Sequence, residues 1–170
     1  MSHLIRTVRA DEWAKAKELR LAALQDPAAL VAFLTTYEQA LARPDSFWQR
    51  QTVTGGQFIA EAPDGTWSGS VAVLIEKAGE TDFMGTTADR AQGHLVGVYV
   101  RPEQRGTGLI GELVAAALDW AWSVREPRVA RVRLFVHEEN PRALAAYRKL
   151  GFVPTGVAVE KDLELEYVRL

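Results

Sequence analysis

The run Arg105-Gly106-Thr107-Gly108-Leu109-Ile110-Gly111 joins a strand-like stretch, Leu95 to Val100, to an amphipathic helical stretch. Glycines at such a junction permit a tight turn, and a helix that starts there leaves its first amides without intrahelical acceptors. Those amides, with the positive end of the helix dipole, form a cradle for a phosphate or pyrophosphate. Taken alone, an isolated glycine pair serves equally well as a bare turn, with Arg105 a solvated charge.

As a string, Gly106 to Gly111 satisfies the GxGxxG pattern of dinucleotide-binding folds. Its context argues against that reading. In such folds the strand runs almost directly into the first glycine, whereas Arg101-Pro102-Glu103-Gln104-Arg105 intervenes here. The acids Glu138 and Glu139 come later than the usual interval of about 20 residues, and the chain after Gly111 is too short for the rest of a doubly wound domain.

A second segment gives the turn a different meaning. Arg101 to Leu113 together with Asn140-Pro141-Arg142-Ala143-Leu144-Ala145-Ala146-Tyr147-Arg148-Lys149-Leu150-Gly151-Phe152 resembles the GCN5-related N-acetyltransferase (GNAT) family. The family pattern R/Q-x-x-G-x-G/A reads as Arg105-Gly106-Thr107-Gly108-Leu109-Ile110, with Ile110 in place of the usual small residue and Gly111 one place later. The resemblance implies that acetyl-coenzyme A is the co-substrate and that the turn, through Arg105, Gly106, Thr107, Gly108 and Gly111, holds its pyrophosphate. It further implies that Val98 and Val100 hydrogen-bond the pantetheine arm through their backbones. Asn140 contacts the cofactor, and Tyr147 is the general acid for the departing thiolate.

Acetyl transfer to an amine requires a neutral amine, a stabilised oxyanion and a proton for the thiolate. The chain has no cysteine, so a cysteinyl intermediate is excluded and direct attack in a ternary complex is the economical route. The Val98 amide is implied as the oxyanion donor. Tyr147 suits its role, since a phenol near pKa 10 is protonated at neutral pH while a thiol lies near 8.5. Read without the motif, Tyr147 with Leu144 and Leu150 is the inner face of a short helix, and Asn140 is its N-cap. No general base stands out: Glu61, His94, His137, Glu138 and Glu139 are each as easily solvated charges at strand ends. Phe47 and Trp48 could line an acceptor pocket, although aromatic residues at helix ends more often enter the core.

The elements that must position these groups follow from periodicity. A first strand is expected over Ile5 to Arg9, then a helix capped by Asp11 with Trp13, Ala16, Leu19 and Ala23 on one face, and a second helical stretch from Ala28 to Ala42. A hairpin is expected from Gln57 to Ala62 and Ser70 to Glu76 around Pro63-Asp64-Gly65, then a mobile surface loop from Lys77 to Gly93. After the turn, Ile110, Leu113, Val114, Ala117, Leu118 and Ala121 mark a buried helical stripe. Val129 to Val136 reads as a half-exposed strand with Arg131, Arg133 and Phe135 outward. Helix Pro141 to Leu150 and closing strands Val153 to Val159 and Asp162 to Leu170 complete the order.

The expected fold is α/β: one GNAT-like domain over residues 1–170, with a central mixed, mostly antiparallel sheet and helices on both faces. At 170 residues one core suffices. A net charge of −2 with interleaved signs gives no bulk attraction for nucleic acid or anionic membrane. No apolar run reaches the roughly 18 residues of a membrane span, nor does the start read as a signal peptide, so a cytoplasmic location is expected. The three histidines, His3, His94 and His137, lie far apart, and no metal is expected. The partner is a small-molecule or peptide amine, with pairing to a second copy left open. A coenzyme A-binding module without turnover is the alternative, and a dinucleotide oxidoreductase the remote one.

Overall fold

The computed structural model describes residues 2–26, 35–53 and 56–170. Along the chain come β1 (Leu4–Thr7), α1 (Trp13–Leu24), α2 (Tyr37–Leu41), α3 (Asp45–Val53), β2 (Gln57–Glu61), β3 (Trp67–Glu76) and β4 (Gln92–Val100). Then follow α4 (Leu109–Ser123), β5 (Arg131–His137), α5 (Pro141–Lys149), β6 (Val153–Val159) and β7 (Asp162–Val168). The strands form a seven-stranded sheet in the order β1-β2-β3-β4-β5-β7-β6. β4 and β5 pair in parallel at Gly93↔Val132 and His94↔Arg133, whereas β1–β2, β2–β3, β5–β7 and β6–β7 are antiparallel. The α/β class and the mixed, mostly antiparallel sheet are as expected.

The chain divides into two compact units, Met1–Ala72 with Gly97–Ala117, and Val73–Val96 with Leu118–Leu170. In the first, Ala16, Leu19 and Ala23 of α1 pack with Ile59, Trp67 and Tyr99. Adjacent strand residues point to opposite faces, and a Cβ on Gly69 would meet Val100 Cγ2 at 3.4 Å and Leu113 Cδ1 at 3.0 Å. Thus α1 covers the Tyr99 face and the start of α4 the Val100 face, so helices do lie on both sides. Gly69 has no room for a side chain, because its Cβ would also stand 2.8 Å from the Tyr99 carbonyl oxygen, which is fixed in the sheet. Gly69→Ala is expected to destabilise the protein by about 1–3 kcal/mol, the usual cost of overpacking, and a denaturant titration reads it directly.

Several local expectations change in this unit. The first strand stops at Thr7, and Asp11 lies inside a 3-10 turn, Ala10–Glu12, instead of capping α1. Glu12 accepts the Arg9 N–H at 2.9 Å, and Arg6 fixes Glu12 with two bonds of 2.8 Å, so the longer carboxylate takes over the terminus. Of the stretch expected to be helical, residues 28–34 lie outside the described residues. Helix α3 was not legible. It buries Trp48 with Leu24 and Ala40, flanked by Phe47, so Trp48 is a core residue. In α4, Leu109 takes the buried position one turn before Leu113, and Ile110 is only half-buried.

In the second unit the largest departure is β5. Arg131 and Arg133 are buried, not outward, because opposite charges from three other segments converge on them. Arg133 donates to Glu76 at 3.1 and 3.2 Å, to Asp82 at 2.9 Å and to Glu164 at 2.9 Å. Arg131 donates to Gln92 at 2.6 and 3.0 Å, to Glu164 at 3.2 Å and to Glu166 at 2.7 Å. The segment expected to be a mobile loop is tied into this network. Thr81 bridges Thr87, Gly79 N–H bonds Ala88 O at 2.8 Å, and β4 already begins at Gln92.

Candidate functional site

Within β4, Gly97 adopts φ 60°, and its carbonyl accepts the Ser70 hydroxyl at 3.3 Å. Past it, Val98 is half-buried and Val100 buried. Arg101 then anchors the chain, donating its Nε to Trp67 O at 2.7 Å and its N–H to Ser68 O at 2.9 Å, before the 3-10 turn Pro102–Gln104. Arg105 turns inward: its Nη2 lies 2.8 Å from Asp26 Oδ2, and its Nε donates to Val100 O at 3.1 Å. Its main work in this arrangement is to hold the turn's base, which leaves the anion contact to the backbone.

Gly106 and Gly108 adopt φ of 80° and 87°, and both are exposed. A Cβ on either would meet nothing within 4 Å, so conformation and not space demands glycine there. Thr107 braces the loop by donating its hydroxyl to Gln104 O at 2.6 Å. Gly111 and Glu112 N–H both reach Gly108 O, at 3.1 and 3.3 Å. The amides that open α4, those of Gly108, Leu109 and Ile110, have no preceding turn to bond. Glycine-permitted curvature and a helix N-terminus thus coincide, the combination suited to a pyrophosphate. A neighbouring cleft of about 790 Å3 is lined by His3, Asp64, Gln104, Thr107 and Glu112 among others. Its two carboxylates repel anions, so the cradle and that cleft suit different ligands.

In the second unit, β5 ends at His137, and Asn140 caps α5 by accepting the Ala143 N–H at 3.2 Å, with Pro141 at the first position. The far end closes as a Schellman motif: Phe152 N–H bonds Tyr147 O and Gly151 N–H bonds Arg148 O, each at 3.0 Å, with Gly151 at φ 103°. Tyr147 is the one buried residue of α5, and its ring meets Phe152 edge-on at 5.9 Å. Burial pushes its phenol well above the ordinary tyrosine range, with no bonding partner contributing. Asn140→Ala removes the cap and is expected to cost about 1 kcal/mol of stability, seen as a lower denaturation midpoint with an unchanged slope.

The candidate bases are distributed between the units. Glu61 accepts from Arg6 at 2.9 Å and from Trp67 Nε1 at 3.4 Å, and Arg6 holds its carboxyl below the usual range. His94 is buried with its Nδ1 3.2 Å from Glu76 Oε2. His137 Nδ1 accepts the Glu139 N–H at 3.1 Å, and Glu138 and Glu139 are exposed. Glu76, which sequence reasoning passed over, is held at about 2: burial alone would raise it, but bonds from His94 and the Phe83 N–H and the charge of Arg133 prevail. Such a carboxylate is a stable anion and a poor base.

Against known proteins, residues 24–152 match the model of the acetyltransferase (GNAT) family. The chain is 30% identical over 112 residues to an aminoglycoside N(6')-acetyltransferase type 1 of Stenotrophomonas maltophilia, covering 66% of this chain and 69% of that one. It is 33% identical over 64 residues to a spermidine N(1)-acetyltransferase of Vibrio cholerae, a match that spans 38% of this chain and only 36% of the relative. Among solved structures, yncA of Salmonella typhimurium with its cofactor acetyl-CoA superposes with a TM-score of 0.67 at 17% identity, over 99% of this chain and 94% of that one. A GNAT-family acetyltransferase of Streptococcus pneumoniae gives 0.66 at 18% identity, over 98% and 99%.

Proposed function

The chain belongs to the acetyltransferase (GNAT) family, and from that premise we propose that it transfers an acetyl group from acetyl-coenzyme A to an amine by direct attack in a ternary complex. This makes it an acyltransferase, with residues 1–170 read as one acetyltransferase domain. The observation that carries the reading is the open turn at Gly106–Gly108, where two left-handed glycines and the first amides of α4 coincide.

Bound at the turn, the donor supplies an acyl group activated by a thiolate leaving group. The chain's own residues do the rest. Backbone amides from Gly106 to Ile110 hold the pyrophosphate, with Arg105 and Thr107 bracing the loop. Val98 and Val100 offer backbone groups to the pantetheine arm, and the Val98 N–H donates to the reacting carbonyl. Asn140 positions the cofactor; the amine forms the C–N bond, Tyr147 gives its phenolic proton to the thiolate as the C–S bond breaks, and the proton shed by the nitrogen passes through solvent to restore the phenol. No metal is invoked.

The acceptor is proposed as a primary amine. A spermidine and an aminoglycoside acetyltransferase among the relatives make polyamines and aminosugars the first candidates, with peptide N-termini next. Among the described residues no helix is long and apolar enough to cross a membrane. We place the enzyme in the cytoplasm, which holds an acetyl-coenzyme A pool. Thermal shift with acetyl-coenzyme A and with NAD(P), followed by free-thiol release over an amine panel, tests the reading. Stabilisation by acetyl-coenzyme A and acceptor-dependent thiol release are expected. Stabilisation by NAD(P) alone contradicts it.

A further inference from the structure

In the second unit, β6 forms an edge of the sheet and is bonded to β7 on one side. Its residues, Val153-Pro154-Thr155-Gly156-Val157-Ala158-Val159, carry no charge. Val153 and Val157 leave 52% and 50% of their surface in solvent, and Pro154, Gly156 and Ala158 are exposed with them. Natural edge strands are guarded by charged side chains, by shortness or by a bulge. β6 has an irregularity between Pro154 and Ala158 but no charge. Thr155 fixes it: its hydroxyl donates to Glu164 Oε1 at 2.7 Å and accepts the Val157 N–H at 3.2 Å. Glu164 is held in turn by Arg131 and Arg133, so the edge is ordered before anything meets it.

The chemistry of this edge selects its partner. Pro154 has no N–H to give and that of Val157 is already taken, so the strand is a poor template for an open-ended ladder and offers apolar side chains instead. A partner with charges at the contact would strip their hydration against the valines without a counter-charge. A second β6, uncharged over the same residues, meets the requirement. The flanks set the direction. At the start of β6 stand Arg148 and Lys149, both exposed, in the last turn of α5. At its end lies the β6–β7 turn with Glu160 and Asp162, joined by Glu138 and Glu139 because the Glu138 N–H donates to Lys161 O at 2.8 Å. These carboxylates outweigh Lys161 and the nearby Arg142. With two copies antiparallel about a two-fold axis, the basic start of each strand meets the acidic end of the other, and the match occurs twice. A parallel alignment would set like charges together.

We propose that β6 is the contact edge of a homodimer, in which two copies lie antiparallel with Val153 and Val157 packed across the axis and with Arg148 and Lys149 of each copy facing Glu160 of the other. A two-fold contact of this kind closes at two copies. One short strand a side makes a small contact, which puts the dissociation constant in the micromolar range. Sedimentation velocity of the full chain over a concentration series tests it. The wild type is expected to pass from monomer to dimer as concentration rises. Val157→Lys sets like charges across the axis and is expected to stay monomeric throughout. Because that side chain is half in solvent, the variant's circular dichroism should match that of the wild type. Glu160→Lys is expected to weaken the dimer about threefold to tenfold, and Lys149→Glu in the same chain to restore it, a rescue that misfolding could not produce. A wild type that stays monomeric, a dimer that survives Val157→Lys, or a double variant no tighter than Glu160→Lys overturns the assignment. The acetyltransferase activity stands or falls separately, since none of these residues is placed in its machinery.

Discussion

Tyr147→Phe is expected to bind acetyl-coenzyme A as the wild type does and to lose about 10²- to 10⁴-fold in kcat, the usual contribution of one positioned proton donor. The substitution removes one oxygen from a ring whose packing against Phe152 is untouched. Helix α5 keeps both its Asn140 cap and its Gly151 termination, so a fall in activity cannot be assigned to a lost helix. Burial pushes the phenol upward from its ordinary value, whereas a thiol titrates near 8.5. The phenol therefore stays protonated and ready to donate to the departing sulfur, and because the thiolate is the weaker base, the transfer is completed by the proton that the attacking nitrogen sheds, which restores the phenol. The same shift means that no loss of rate up to about pH 10 should trace to Tyr147 ionisation. Free-thiol kinetics with a saturating amine check both points, and unchanged kcat in Tyr147→Phe removes the acid role.

Arg133→Met should be the most damaging single substitution for stability, at about 3–5 kcal/mol, because it leaves Glu76, Asp82 and Glu164 buried without their shared cation. That is a large fraction of the 5–15 kcal/mol that holds a typical domain together. Methionine fills similar volume, so the loss reports charge and not a cavity. The same network sets the acid limit of the fold. Glu76 is lowered from 4.5 to about 2, and Asp82 and Glu164 shift in the same direction, against their burial, through bonds that include those from Arg133. A carboxyl depressed in the folded state contributes stability that is complete above its unfolded value and disappears as pH falls through the folded one. For Glu76 that window runs from 4.5 down to about 2. Urea midpoints across this range should fall steeply in the wild type and more gently in Glu76→Gln. A loss below about 1 kcal/mol in Arg133→Met, the scale of an exposed pair, would show the network to be solvated in solution.

Those arginines also mark where sequence reading stopped. On β5, Arg131 and Arg133 alternate with Val132 and Leu134, which is the pattern of a strand with one wet face. The missing signal lay on β7, where Glu164 and Glu166 alternate with Leu163 and Leu165, and Arg133 pairs in register with Glu166. Complementary charges on two strands of unknown adjacency become a buried network only when the topology makes them neighbours. Glu76 and Asp82 were invisible for the same reason, since their partner lies more than fifty residues away. What was legible rests on local chemistry. The cap at Asn140, the proline at the first helical position and the glycine at Gly151 belong to single turns, and all three stand as expected. The turn at Gly106–Gly108 was likewise readable, because left-handed φ demands glycine whatever packs nearby. Helix α3 was not, since Phe47 and Trp48 among polar residues carry no clear period, and its burial depends on Leu24 and Ala40.

The central claim is that this chain joins an acetyl group to an amine at the expense of a thioester. The most direct test incubates the protein with acetyl-coenzyme A and a panel of spermidine, an aminoglycoside, a peptide and an amino acid, and then measures free thiol and the mass of each amine together. The account predicts that at least one amine gains one acetyl group for each thiol released, and that neither change occurs without protein. Thiol release with every amine unaltered, or acetyl-coenzyme A bound and left intact across the panel, would contradict it.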